Sequence, residues 1–191
     1  MPRIALALTP SFADWECALV TAVARSYLGA EVVTATPDGA PVVSMGGLKV
    51  MPDIGFEALD PGAFDALLVP GGLAWEQDIA PDIAPMVRAF RAQGRVVGGI
   101  CAAASALAGT GALDAVAHTG NALQAHAQHA GYHGAARYID QPQAVSENGV
   151  ITAPGSAPFT FAVEVLKALG LWTPEAEAEL AVFAAEHTRT A

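Results

Sequence analysis

Short runs of β-branched and leucine-rich residues recur along the chain, and Ala-rich stretches with helical spacing lie between them. The runs Arg3 to Thr9, Glu31 to Thr36, Ala66 to Pro70 and Arg95 to Ile100 predict strands, with weaker strands at Ala144 to Ser146 and Val150 to Ala153. A helix is predicted from Asp14, with Leu19, Ala22, Val23 and Tyr27 on one face and a stop at Gly29, a residue suited to a left-handed cap. Further helices are predicted over Pro81 to Gln93, Ala102 to Ala108, Ala122 to Ala130, Ala157 to Leu169 and Pro174 to His187. Ser156 before Ala157-Pro158 and Thr173 before Pro174-Glu175 are the expected N-caps of the last two, each followed by proline in the first turn. Alternating strands and helices predict an α/β fold, a mainly parallel sheet covered on both faces. The segment Val42 to Val50 departs from that alternation and reads as a small hairpin closing on Gly46-Gly47, placed at an edge or an interface.

Composition narrows the class. A chain of 191 residues with 53% apolar and 15% charged residues predicts one folded domain over 1–191 with a sizeable core, residues 174–187 adding a final helix. The acidic residues Glu175, Glu177 and Glu179 read as the solvated face of that helix. Nine Lys and Arg against 19 Asp and Glu give a net charge of −10, which repels nucleic acid and anionic lipid surfaces. Cys17 and Cys101 form neither a disulfide framework nor a CxxC pair, so a reducing, cytoplasmic setting is expected. The first apolar run is cut by Thr9-Pro10, Asp14 and Glu16 before a secretory signal could form, and glycines divide the uncharged stretch between Arg95 and Asp114, so no membrane span is expected.

Candidate chemistry centres on Gly98-Gly99-Ile100-Cys101-Ala102-Ala103, where a buried strand ends at a cysteine and a helix of small residues begins at once. This is the pattern of a nucleophile elbow, whose tight turn requires small residues two before and two after the nucleophile, here Gly99 and Ala103. The following helix dipole and its free N–H groups are expected to lower the pKa of the thiol. Pro70-Gly71-Gly72 ends another strand, and the N–H groups of Gly72 and Ala102 are candidates for an oxyanion hole. Glu16, in the first turn after strand one, is placed to poise the thiol through a protonated carboxyl, although acidic residues are also common there as dipole partners. His118, in a polar loop, is the candidate general acid or base. His126, His129 and His133 have helical spacing, but Gly131-Tyr132 cuts their helix, so they read as a polar surface face and no metal is expected. Trp75, Tyr132 and Phe159 are candidates for shaping a pocket.

Taken in order, Asp14-Trp15-Glu16, Ser44-Met45-Gly46-Gly47-Leu48-Lys49, Val69-Pro70-Gly71-Gly72, Gly99-Ile100-Cys101-Ala102-Ala103, His118-Thr119-Gly120-Asn121 and Gly155-Ser156-Ala157-Pro158 resemble the ThiJ/PfpI superfamily, a class I glutamine amidotransferase-like group that includes the human parkinsonism-associated deglycase. The resemblance implies a flavodoxin-like three-layer α/β/α sandwich, a homodimer, no cofactor, Cys101 as nucleophile, Glu16 bonded to its sulfur, Gly72 and Ala102 facing an oxyanion, and His118 nearby. Gly71, Trp75 and Asn121 are candidate substrate-binding residues. The implied function is a cysteine-dependent hydrolase or lyase acting on a small carbonyl or amide, in glyoxalase or deglycase style. The alternatives are an oxidative-stress sensor or chaperone with an oxidisable Cys101, and a degenerate amidotransferase or peptidase. Ala102 stands where peptidase-like members carry histidine, no histidine lies between Tyr138 and Thr173 for an amidotransferase pair, and Glu16 stands where isocyanide hydratases use aspartate.

Overall fold

A computed structural model describes residues 1–77 and 79–188. In chain order the elements are β1 (Arg3–Ala7), α1 (Asp14–Ser26), β2 (Glu31–Thr36), β3 (Val42–Val43), β4 (Lys49–Val50), β5 (Ile54–Gly55), β6 (Ala66–Val69), α2 (Leu73–Glu76), α3 (Ala84–Ala92), β7 (Val96–Ile100), α4 (Ala102–Gly109), α5 (Leu123–Ala127), β8 (Val145–Glu147), β9 (Val150–Ala153), α6 (Pro158–Ala168) and α7 (Pro174–Thr188). Seven strands form one sheet in the order β5-β2-β1-β6-β7-β9-β8. Every neighbouring pair is parallel except β8 and β9.

The two-residue period of a strand divides the core between the faces. Ile4, Leu6 and Leu8 join Val20 and Val23 of α1 and Phe161, Val165 and Leu166 of α6 on one face. Ala5 and Ala7 meet Val87 and Phe90 of α3 and Ala103 and Leu107 of α4 on the other. The result is the flavodoxin-like α/β sandwich, with α7 packed on the outside of α6. Among the described residues no helix is long and apolar enough to cross a membrane.

The hairpin forms as β3 and β4, which pair antiparallel as a separate ribbon. α1 ends three residues before Gly29, which takes φ +72° while the Ala30 N–H returns to the Ala24 carbonyl. Thr173 caps α7, its Oγ1 accepting from the Ala176 N–H at 3.2 Å. Ser156 does not cap α6: Ala157 holds that position without a side-chain bond. The third helix starts at Ala84 rather than Pro81, where Asp82 Oδ1 accepts from the Ala84 N–H at 2.9 Å.

The sheet positions the site through its switch point. From β1 the chain crosses by α1, on one face, to β2; from β6 it crosses by α3, on the other face, to β7. The loops leaving β1 and β6 therefore diverge, and open α/β sheets present a crevice beyond the carboxyl ends of such strands. The register places Val69 opposite Gly99, and Ile100 opposite Ala153, which brings the residues after β6, β7 and β9 level with one another.

Candidate functional site

Cys101 lies where β7 turns into α4. Its backbone takes φ 60° and ψ −129°, a positive φ that costs a non-glycine residue about 1–3 kcal/mol and is held by the surrounding packing. The Cys101 N–H donates to the Ala153 carbonyl at 2.9 Å, tying the bend to β9. Gly99 permits the turn: a Cβ there would sit 2.6 Å from Leu107 Cδ1 and 3.1 Å from the Ala103 carbonyl.

Two further glycines bring backbone close to the thiol. A Cβ on Gly71 would lie 2.8 Å from Cys101 Cβ, and one on Gly155 would lie 2.8 Å from Cys101 Sγ. Asn121 spans the opening, its Nδ2 donating to Sγ at 3.3 Å and its Oδ1 accepting from the Gly155 N–H at 2.9 Å. The Trp15 indole N–H donates to the Gly155 carbonyl at 3.0 Å, so α1 buttresses the same loop.

Glu16 reaches the site from the first turn of α1 and is only 1% exposed. Its Oε2 accepts from the Gly71 N–H at 2.6 Å. Its Oε1 has no partner of ordinary hydrogen-bond geometry, and Oε1 and Sγ both lie within about 3.2 Å of the point a Gly155 Cβ would occupy. Burial pushes the Glu16 carboxyl up to about 7, against the opposing pull of the Cys101 side chain and the Gly71 N–H. The charge of Glu76 adds to the rise.

The thiol departs from the sequence expectation. Its pKa is pushed up to about 11, because burial and the adjacent Glu16 charge outweigh the Asn121 amide and the Ala102 N–H, which pull it down. A helix N-terminus alone does not make a thiolate when a carboxylate shares its small, dry site. The two groups titrate as one unit, and a proton held by Glu16 removes the negative charge that opposes ionisation of the sulfur. Cys17, by contrast, is a core residue on α1 whose thiol burial pushes up to about 12.

The Gly72 N–H, after β6, has no hydrogen-bond partner among the described residues, and the Ala102 N–H opens α4 beside Sγ. Gly72 itself runs at φ 142°, where a Cβ would sit 2.3 Å from the Ser11 carbonyl. Gly71 is not free to bind a ligand through its N–H, which Glu16 occupies.

His118 takes a different place from the one expected. It is fully buried, with Nδ1 2.8 Å from the Val116 carbonyl and Nε2 2.6 Å from the Tyr132 hydroxyl. Val116 accepts from Nδ1–H, which leaves Nε2 to accept from Tyr132, so neither nitrogen is available to the thiol. His126 stacks on it at 5.6 Å between the rings, and Tyr132 and Tyr138 meet both imidazoles edge-on. Burial lowers the pKa of both histidines, His126 to about 4. His126 is thus core rather than surface, and the described residues hold no group of three His, Cys, Asp or Glu arranged for a metal ion.

A cleft of about 750 Å³ opens beside the elbow, lined by Trp75, Glu76, Asp82, Ala102, Ser105 and Asn121 among others. Ala102 and Asn121 belong to both the cleft and the sulfur's surroundings, so the cleft is adjacent to the elbow, although Cys101 and Glu16 do not themselves line it. Trp75 is fixed by its indole N–H, which donates to the Pro70 carbonyl at 3.1 Å. Tyr132 and Phe159 stay outside: one holds His118, the other packs on the α1 and α6 side of the core. Sequence reasoning passed over Gly155 as a wall of the site, Glu76 and Asp82; the Gly155-Ser156 motif was the available signal for the first.

Known proteins match this chain in sequence and fold. The model of the DJ-1/PfpI family matches residues 2–168. The chain is 30% identical over 180 residues to the uncharacterized protease YoaZ of Bacillus subtilis (strain 168), covering 91% of this chain and 86% of that protein. The crystal structure of the DJ-1 superfamily protein Atu0886 from Agrobacterium tumefaciens superposes with a TM-score of 0.97 at 64% identity, over 98% of this chain and 100% of that one. The thiJ/pfpI family protein from Bacillus anthracis gives 0.82 at 32% identity, over 90% and 84%. With the elbow cysteine, the buried glutamate and the glycine-walled thiol all in the matched span, the chain belongs to the DJ-1/PfpI family.

Proposed function

We propose that the protein is a cofactor-independent cysteine enzyme that converts a small reactive carbonyl compound, with hydration of methylglyoxal to lactate as the model reaction. The observation that carries this reading is the Cys101 sulfur at a strained bend, with Asn121 Nδ2 at 3.3 Å, the Ala102 N–H beside it and a buried Glu16 poised near neutrality. Glu16 takes the thiol proton as Sγ adds to the aldehyde carbon, the Gly72 and Ala102 amides stabilise the oxyanion, and Glu16 passes the proton on to that oxygen, giving a hemithioacetal and a free carboxylate. Glu16 then takes a proton from that carbon and delivers it to the neighbouring carbonyl carbon. The aldehyde carbon is oxidised to a thioester as its neighbour is reduced to an alcohol, and water hydrolyses the thioester to lactate and free thiol. Glu16 thereby fills the proton-carrying role that His118, with both nitrogens engaged, leaves open.

Consumption of methylglyoxal with formation of lactate, abolished by Cys101→Ser, tests the proposal; turnover unaffected by that change defeats it. A sensing role has its own support, since Oε1 of Glu16 is free to donate to an oxygen on sulfur while Cys17 is 7% exposed. Mild peroxide would then add two oxygens to Cys101 and none to Cys17, read by peptide mass. The exposed Trp15, Met45, Leu48 and Met51 around the β3-β4 ribbon support association with a second copy. Sedimentation of the wild type as a dimer, and of Met45→Glu/Met51→Glu as a monomer, checks this.

A further inference from the structure

Asn121 is an exposed loop residue just ahead of α5, yet it carries the amide that donates to Sγ. The Gly155 N–H decides which end of that amide faces the sulfur: by donating to Oδ1 it leaves Nδ2 pointing at Sγ. A side chain that reaches two partners keeps both only if its own backbone is fixed, and an exposed loop does not fix itself. Here the preceding residue does so. Gly120 is buried, and its carbonyl accepts from the Tyr138 hydroxyl at 3.1 Å. The His126 ring lies against it, so that a Cβ on Gly120 would sit 2.3 Å from Cε1 and 3.0 Å from Nε2. Tyr138 is itself held in register, since the Arg137 carbonyl accepts from the His118 N–H and the Ile139 N–H donates to the His118 carbonyl. One residue before Gly120, the Thr119 N–H donates to Thr152 Oγ1 at 2.8 Å and fastens the loop to β9. The path from phenol to sulfur runs through Gly120 and Asn121, each step a hydrogen bond or a chain neighbour.

We infer that Tyr138 is a positioning residue for the Cys101 thiol: its hydroxyl holds Gly120 against His126, and so holds the Asn121 amide on the sulfur. The inference rests on the reading that Cys101 is the nucleophile, and it is independent of which substrate the thiol attacks. Tyr138 neither lines the cleft nor hydrogen-bonds the sulfur, so its effect travels through Asn121.

The pH profile of Cys101 alkylation by iodoacetamide, with the modified peptide quantified by mass, tests this on the whole chain. Tyr138→Phe removes one oxygen and keeps the ring against both imidazoles. Losing one neutral hydrogen bond, only part of which is felt at Asn121, should slow alkylation about three-fold at a fixed pH on the rising limb, with the profile moved to higher pH. Combined with Asn121→Ala, Tyr138→Phe should add no further slowing, because the amide it positions is gone. Tyr132→Phe removes a hydroxyl from the same ring cluster, one that bonds His118 instead of Gly120, and should leave the profile in place. Glu16, the ionisable group beside the sulfur, is the same in every variant. A Tyr138→Phe profile coincident with wild type, even with stability lost, overturns the inference, and so does an equal slowing in the Asn121→Ala background. Nitrogen-15 relaxation of the Asn121 side-chain amide needs no variant: it should be as ordered as rigid backbone, and mobility like that of exposed Gln124 overturns the inference. These alkylation effects in a protein that turns over no methylglyoxal would defeat the carbonyl reading and leave the role of Tyr138 standing.

Discussion

Glu16 is the residue at which stability and chemistry conflict most openly, and Glu16→Gln measures the conflict. In the folded protein its carboxyl is 1% exposed and its pKa is raised from an ordinary 4.5 to about 7. A raised carboxyl binds its proton more tightly in the folded than in the unfolded chain. Its contribution to stability is therefore complete below pH 4.5 and disappears as pH rises through 7. Above that point the fold carries the whole cost of a buried negative charge, about 3 kcal/mol.

Glutamine preserves the shape and can still accept from the Gly71 N–H, but it never ionises. Urea unfolding under reducing conditions at pH 5.5 and 8 avoids the sequence isoelectric point near 4.7. Relative to wild type, the variant should gain about 2 kcal/mol between those two pH values, because roughly a third of the effect is already spent at the lower one. Thermal midpoints should separate in the same direction, by about 2–4 °C for each kcal/mol in a chain of this size. Wild-type and variant stabilities that run parallel from pH 5.5 to 8 would refute the reasoning, since they would mean that Glu16 does not change its protonation between those conditions.

Four other substitutions separate the parts of the site. Gly155→Ala should cut Cys101 alkylation by at least ten-fold with the fold retained, because its Cβ would sit 2.8 Å from Sγ, the free end of a side chain; iodoacetamide labelling reads it. Gly71→Ala should also destabilise by about 1–3 kcal/mol, since backbone at Ala102 N, 3.0 Å away, cannot yield as easily; urea unfolding shows the difference. Asn121→Ala removes the amide that pulls the thiol pKa down, so the pH profile of alkylation should move upward. His118→Phe should cost about 2–3 kcal/mol through the lost bonds to Val116 and Tyr132 and leave the alkylation rate of Cys101 within two-fold, which labelling and unfolding together would establish.

Much of the fold is legible because its strands are short, apolar and bounded. Glu31–Thr36 and Val150–Ala153 match their predicted spans, and the strand before Cys101 differs by one residue. Val150–Ala153 and Val96–Ile100 are buried at every position, and such strands need no partner information to be recognised. β5, only Ile54–Gly55, was missed, since two residues give no period. α2, the four residues Leu73–Glu76, was missed for the same reason. Ser156 failed as a cap because capping depends on where the chain enters the helix, and the helix begins one residue later than the sequence implies.

The elbow was legible for a steric reason: Gly99 and Ala103 are small because a tight turn leaves no choice, and sterics act locally in sequence. Protonation is different. The sequence places Cys101 at a helix N-terminus, which favours a thiolate, but it does not reveal that the Glu16 carboxyl, 85 positions earlier, lies buried beside the same sulfur with Oε2 held by the Gly71 N–H. Nor does a histidine in a polar loop disclose that Val116 and Tyr132 will occupy both its nitrogens. Both errors have one origin, namely that the electrostatic state of a buried group is set by neighbours remote in the chain. The consequence for mechanism is direct. A site whose carboxyl titrates near 7 and whose thiol titrates near 11 holds one shared proton between those limits, and the chemistry proposed for Cys101 begins when that proton resides on Glu16 rather than on sulfur.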